Sequence, residues 1–170
     1  TVPLPARDPL ALARRLLGVE AIPAPPAAPV QTWRVGDTAL FWADNVETDE
    51  KFQVTATLRY ATGVVYMWVQ NGAEVDQAAL ERSAKVFSTH TYPLLRAAFG
   101  TEANPGVDGD PRLHILHAAN LGAGIAAYFS AESLYPAEVR PGSNEREMFF
   151  VNLDTMRPAI GTAYYDAVLA

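Results

Sequence analysis

Residues 64–69 (VVYMWV) are apolar at every position. A strand with one wet face alternates, whereas a strand that is apolar throughout is covered on both faces. This run therefore predicts a strand inside a sheet, packed above and below. Asn71-Gly72 breaks it, and the period then changes. Over residues 76–99, Leu80, Ala84, Phe87, Leu94, Leu95 and Ala98 recur on one side of a helix. Asp76 suits the N-cap, Pro93 should kink or restart the helix, and Gly100 should end it. Residues 112–119 (RLHILHAA) return as a strand. Strand, long helix, strand is a βαβ unit, so these two strands are expected to be parallel neighbours.

The flanking segments add to that sheet. Residues 52–60 alternate strictly, with Phe52, Val54, Ala56, Leu58 and Tyr60 on one face. Residues 32–35 and 38–44 flank Gly36-Asp37 and read as a hairpin. On the other side, residues 120–124 (NLGAG) form a turn and residues 125–130 (IAAYFS) a strand. Residues 131–146 form a long loop of the kind that is often functional. Residues 147–152 (EMFFVN) read as a buried strand and 153–158 as a link. Residues 161–170 open a helix that is apolar at Gly161, Tyr164, Tyr165, Val168 and Leu169. No Gly, Pro, Asn or basic residue closes that helix, which suggests a chain cut inside an element. Residues 161–170 are expected to fray, or to be held by a partner chain, unless they pack on Met148, Phe150 and the long helix.

The expected fold class is α/β (α+β), a mixed, twisted sheet with a long backing helix. Residues 1–30 form a Pro-rich arm. One short helix is expected within it, capped by Asp8, begun by Pro9, apolar at Leu10, Leu12, Leu16 and Leu17, and ended by Gly18. Residues 31–170 form the mixed-sheet domain, of which 31–63 are accessory strands.

Composition narrows the partners. Thirteen basic residues against 19 acidic ones leave a net charge of −6. No basic stripe is present, which argues against nucleic acid and against a polybasic membrane contact. The absence of cysteine excludes disulfides and thiolate metal sites. No run approaches the 18 apolar residues of a membrane span. A start at Thr1 in a Pro-rich, Lys-poor chain leans towards export.

The candidate chemistry is sparse. His114 and His117 lie three apart on one strand, so they point to opposite faces and cannot chelate one metal unless the strand bulges. His90 falls on the long helix. Asp108 and Asp110 flank Gly109 and resemble a fragment of a calcium loop. The further acids of such a loop are missing, so a solvated turn is expected, with a weak calcium site using Glu102 or carbonyls as the alternative. There is no G-x-S-x-G, Walker motif or dinucleotide fingerprint. Trp33, Trp42 and Trp68 fall in strands and read as core.

From RLHILHAANLGAGIAAYFSAES through MFFVNLD to YYDAVLA, the chain resembles the segment upstream of the zinc helix in secreted bacterial zincin-type metallopeptidases, such as hyicolysin-like and immune-inhibitor-A-like enzymes. The resemblance implies that residues 64–170 are a zincin-like N-terminal lobe. It also implies a final helix that would continue into His-Glu-x-x-His, a motif whose histidines bind zinc. None of those residues is in this chain, so no zinc ligand or catalytic residue carries over, and the chain alone should be inactive. One role does carry over. The edge strand of Gly124, Ile125, Ala126, Ala127, Tyr128, Phe129 and Ser130 would pair with an extended peptide or protein substrate. The remainder of the parent polypeptide, or a partner chain, would then pack on residues 161–170. The alternative is a non-catalytic surface, scaffold or assembly subunit with the same half-fold.

Overall fold

The computed structural model describes residues 32–100 and 106–170. The expected arm over residues 1–30 and Glu102 lie outside the described residues. The fold is mixed α+β, built on one six-stranded sheet in the order β1-β2-β3-β4-β6-β5. The strands are β1 (Thr38–Asn45), β2 (Glu50–Ala61), β3 (Val65–Gln70), β4 (Leu113–Ala118), β5 (Ala127–Phe129) and β6 (Met148–Asn152). β3, β4 and β6 are parallel, and β1, β2 and β5 add antiparallel strands at the two sides. β3 and β4 are the neighbours expected of a βαβ unit. β1 and β2 continue the same sheet.

Each face of the sheet has its own core. On one face Val65, Met67, Val69, Leu113, Ile115 and Val151 pack against the helices. On the other, Phe41, Val54, Leu58, Trp68, Leu116 and Phe150 pack against one another across a sheet that curls round them. β3 serves both cores, which is why it is apolar throughout and is buried at every position from Val65 to Val69. Fully burying side chains of this size contributes about 1.5–3 kcal/mol each.

The backing helix is two helices, α1 (Gln77–Val86) and α2 (Tyr92–Phe99), joined by a π-helical turn at Phe87–Thr91. Asp76 caps α1, accepting from the N–H groups of Ala78 and Ala79 at 2.9 and 3.1 Å. Pro93 has no N–H to give back to the preceding turn, and its ring crowds the carbonyl there. The turn widens, and the hydroxyls of Ser88 and Thr89 bond back to the carbonyls of Ala84 and Lys85 at 2.8 Å each. The wider turn also rotates α2 relative to α1. Leu80, Ala84 and Phe87 are buried as expected, but Leu94 and Ala98 face out and Tyr92 takes the buried position. Gly100 ends α2 with a left-handed backbone, φ +91°.

Other local expectations shift. Residues 32–35 form no strand; Gly36-Asp37 instead bonds to Leu58 across β2. Trp33 lies outside any strand, and with Trp42 it is only half-buried, while Trp68 is fully buried. The register of β2 slips between Leu58 and Tyr60, a bulge that sends Tyr60 to the helical face. Residues 153–158 are not a plain link. They contain a helical turn, α3 (Leu153–Met156), capped by Asn152, which leads into a 3₁₀ turn at Arg157–Ala159. The last helix, α4 (Ala163–Val168), packs on α1 and β4. Tyr165 is fully buried and Leu169 nearly so, although Tyr164 stays exposed. The helix seats on the face opposite Met148 and Phe150. No helix among the described residues is long and apolar enough to cross a membrane.

Candidate functional site

The expected substrate edge is shorter than the seven residues read from the sequence. Only Ala127, Tyr128 and Phe129 form β5. The carbonyl of Ile125 accepts from Asn152 Nδ2 at 3.1 Å and from Thr155 Oγ1 at 2.8 Å, and that of Ala126 accepts from Asn152 N–H at 2.9 Å. The carbonyl of Ser130 accepts from Ser133 N–H. Gly124 lies in the preceding turn. The bond between Asn152 and Ala126 sets the phase of the ladder. Ala126 and Tyr128 turn their backbone groups to β6, and Ala127 and Phe129 turn theirs outward. Among the described residues those outward groups take no further backbone partner.

Tyr128 holds this strand in place. Its ring stacks on Phe150 at 4.5 Å with planes 4° apart. Its hydroxyl accepts from the N–H of Asp44 on β1 at 2.8 Å, which brings the two sides of the sheet together. Burial holds this hydroxyl protonated far above the ordinary tyrosine range. Beside the strand, an apolar groove of about 490 Å³ opens between α2 and the ends of β4, β5 and β6. Phe87, Leu95, Phe99, Leu113, Phe129 and Phe149 line it. Phe129, half exposed, belongs to both the groove and the open strand.

The two strand histidines do point to opposite faces. On the helical face, His117 and Tyr165 are both fully buried. The Trp68 carbonyl lies 2.7 Å from His117 Nδ1 and can only accept, so Nδ1 carries the ring proton. The bare Nε2 then accepts from the Tyr165 hydroxyl at 2.6 Å. Burial lowers His117 to about 4 and raises Tyr165. On the curled face the roles reverse. Trp68 Nε1 donates to His114 Nδ1 at 3.0 Å, so the His114 proton sits on Nε2. That proton faces Asp108 Oδ2 at 3.4 Å without hydrogen-bond geometry. Burial lowers His114 as well. His90 is exposed.

The turn at Asp108 and Asp110 is not the solvated turn expected. Asp110 is 1% exposed. Its carboxylate accepts from the Tyr66 hydroxyl at 2.9 Å, from Arg112 N–H at 3.0 Å and from the Arg112 guanidinium at 3.1 Å. Asp108 accepts from Asp110 N–H at 2.9 Å. These carboxylates spend their oxygens on the protein's own donors. No group of three or more His, Asp or Glu side chains gathers as metal ligands among the described residues. His114 and His117 face apart, on the two sides of the sheet.

Two participants left little trace in the sequence. Ser83 and Asp166 bond to each other at 2.7 Å and fasten α4 to α1. Ser83 sits within an apolar helix face, where a small polar residue reads as a neutral interruption. The chain matches no protein-family model, and no curated protein matches it.

Proposed function

We propose that this chain is the sheet-bearing lobe of an exported zinc metallopeptidase, supplying the edge on which an extended peptide lies. The observation that carries the proposal is the antiparallel β5 beside parallel β6, with outward ladder groups on Ala127 and Phe129 and β6 running on into α3 and α4. That order of edge strand, buried strand and helix is the one the resemblance implies. An exposed pair of ladder groups suits strand addition by an extended peptide. Among the described residues no group of side chains gathers to hold zinc, and no catalytic step is assigned to them. On this proposal the metal ligands lie in a His-Glu-x-x-His after Ala170, and the lobe contributes only support and peptide alignment.

The test is made on the natural full-length protein. Its coding sequence after Ala170 should read His-Glu-x-x-His. The purified protein should carry one zinc per chain by elemental analysis and cleave a fluorogenic peptide. A continuation without those histidines, or a metal-free protein, would sink the proposal.

A second function is favoured by one observation. α4 is already seated, with Tyr165 and Leu169 buried and both Tyr165 and Asp166 bonded. A non-catalytic assembly subunit would need this self-sufficient helix, whereas a peptidase lobe would not. Residues 32–170 that fold cooperatively as a monomer, in a natural protein lacking the zinc motif, would establish it.

A further inference from the structure

Helix α4 has six residues, too few to hold its shape unaided. Three contacts seat it. Gly161, φ +86°, lies so close to α1 that a Cβ there would sit 2.7 Å from that of Ala79. The Ser83 hydroxyl accepts from Gly161 N–H at 3.2 Å and donates to Asp166 at 2.7 Å. The third contact joins Tyr165 to His117, with the two rings stacked at 6.0 Å and 12° apart. This last contact uses the bare nitrogen of a neutral imidazole, so a proton taken up by the ring breaks it.

We infer that His117 is the positioning residue for α4, and that the helix keeps its seat only while His117 is neutral. A second proton would occupy Nε2, where the Tyr165 hydroxyl now donates. That hydroxyl would have to turn away inside a fully buried pocket. Among the described residues no carboxylate pairs with His117 to balance the new charge. β3 and β6 bring no charged side chain to this face. From α1, Glu81 pairs with Lys85 and Gln77, and Arg82 lies against Gly161. Asp166 of α4 takes the Ser83 hydroxyl, and Asp154 of α3 takes Asn120 N–H. His114 of the same strand faces the opposite core.

Tautomer and burial together set the sign. An unfolded chain takes up the His117 proton near 6.5, but the folded chain does so only near 4. The contribution is complete above pH 6.5, falls as the pH drops towards 4, and changes no further below. A link to catalysis, in which acid loosens the helix that leads to the zinc motif, rests on the peptidase proposal. The seat itself does not.

Two measurements on this chain test the inference. Amide exchange within α4, corrected for intrinsic rates, should rise about tenfold or more between pH 7 and pH 4. Over the same range the His117 ring should titrate with the same midpoint as the α4 amides, from a neutral form protonated at Nδ1. His117→Gln offers an amide oxygen to Tyr165 and does not titrate, so its α4 exchange should rise at least tenfold less than the wild type's across that range, any remainder belonging to the Ser83–Asp166 contact. Unchanged α4 protection down to pH 4, or the wild-type pH response persisting in His117→Gln, would overturn the inference. If that variant does not fold, the wild-type ring decides, and a neutral form protonated at Nε2 or a separate midpoint overturns it equally. A natural protein without zinc defeats the peptidase proposal and leaves the exchange result standing.

Discussion

The two edges of the sheet are treated in opposite ways. β1 is an edge in strand order, yet its outward groups are covered from Trp42 onward. Trp42 gives its N–H to Asn144 Oδ1 at 2.8 Å and receives Asn144 Nδ2 on its carbonyl at 2.9 Å. One side-chain amide thus imitates a neighbouring strand. Asp44 N–H goes to Tyr128, and Val46 N–H goes to the Leu121 carbonyl at 3.1 Å. Lys51 on β2 pairs with Glu132 at 2.8 Å, bringing the loop over residues 131–146 against this side. β5 has nothing comparable on Ala127 and Phe129 among the described residues. An edge open at Ala127 and Phe129, opposite one covered from Trp42 to Val46, restricts where a strand can add.

The comparison breaks most easily at Tyr128, which belongs to both edges. Tyr128→Ala removes the ring stacked on Phe150 and the acceptor for Asp44. Loss of a packed aromatic of this kind costs about 3 kcal/mol. Chemical denaturation should show a loss of that size, with a lower midpoint. An unchanged midpoint would mean that the curl does not depend on this residue. Asn144→Ala is smaller. It strands one N–H and one C=O of Trp42 in a half-buried site, at a cost of about 2 kcal/mol. It also opens β1, so sedimentation should detect self-association that the wild type lacks. A strictly monomeric Asn144→Ala would argue that β1 needs no cover. Tyr128→Phe keeps the stack and removes only the hydroxyl, for a loss of about 1 kcal/mol.

Those closures explain which features could be read from the sequence. β3 announced itself because burial on both faces leaves an unbroken apolar run. The opposed faces of His114 and His117 followed from an odd spacing, and the restart at Pro93 from a missing N–H. The clamp by Asn144 did not show. It joins a loop amide to a backbone 102 residues away, and a contact of that kind has no period. The outward turn of Leu94 and Ala98 was hidden because the π-helical turn adds a residue that the 3.6-residue pattern does not contain. Asp110 read as solvent-facing because Asp and Gly dominate turns. Its burial is set by Tyr66 and Arg112, which local spacing does not bring into view. Likewise the strand over residues 124–130 was drawn too long, since side chains of Asn152 and Thr155 take up its first residues.

The smallest effect on stability is expected where the effect on function should be greatest. Ala127→Pro deletes one outward N–H of β5. It leaves the bonds to β6 intact, because those belong to Ala126 and Tyr128. Proline is tolerated where a strand's N–H faces away from its sheet, so the cost should stay below about 1 kcal/mol. A peptide adding to β5 would lose one ladder bond and meet the ring. On the peptidase proposal, kcat/KM of the natural protein on an extended peptide should fall about tenfold or more, which corresponds to about 1.4 kcal/mol. The matched control is Leu40→Pro, since Leu40 shares the outward phase of Trp42 on β1 and lies on the opposite edge of the sheet. It should leave kcat/KM as it was. Equal losses from both prolines would show that stiffening of the sheet, and not access to one edge, governs activity. No loss from Ala127→Pro would remove β5 from peptide binding while leaving the closed β1 unexplained by function.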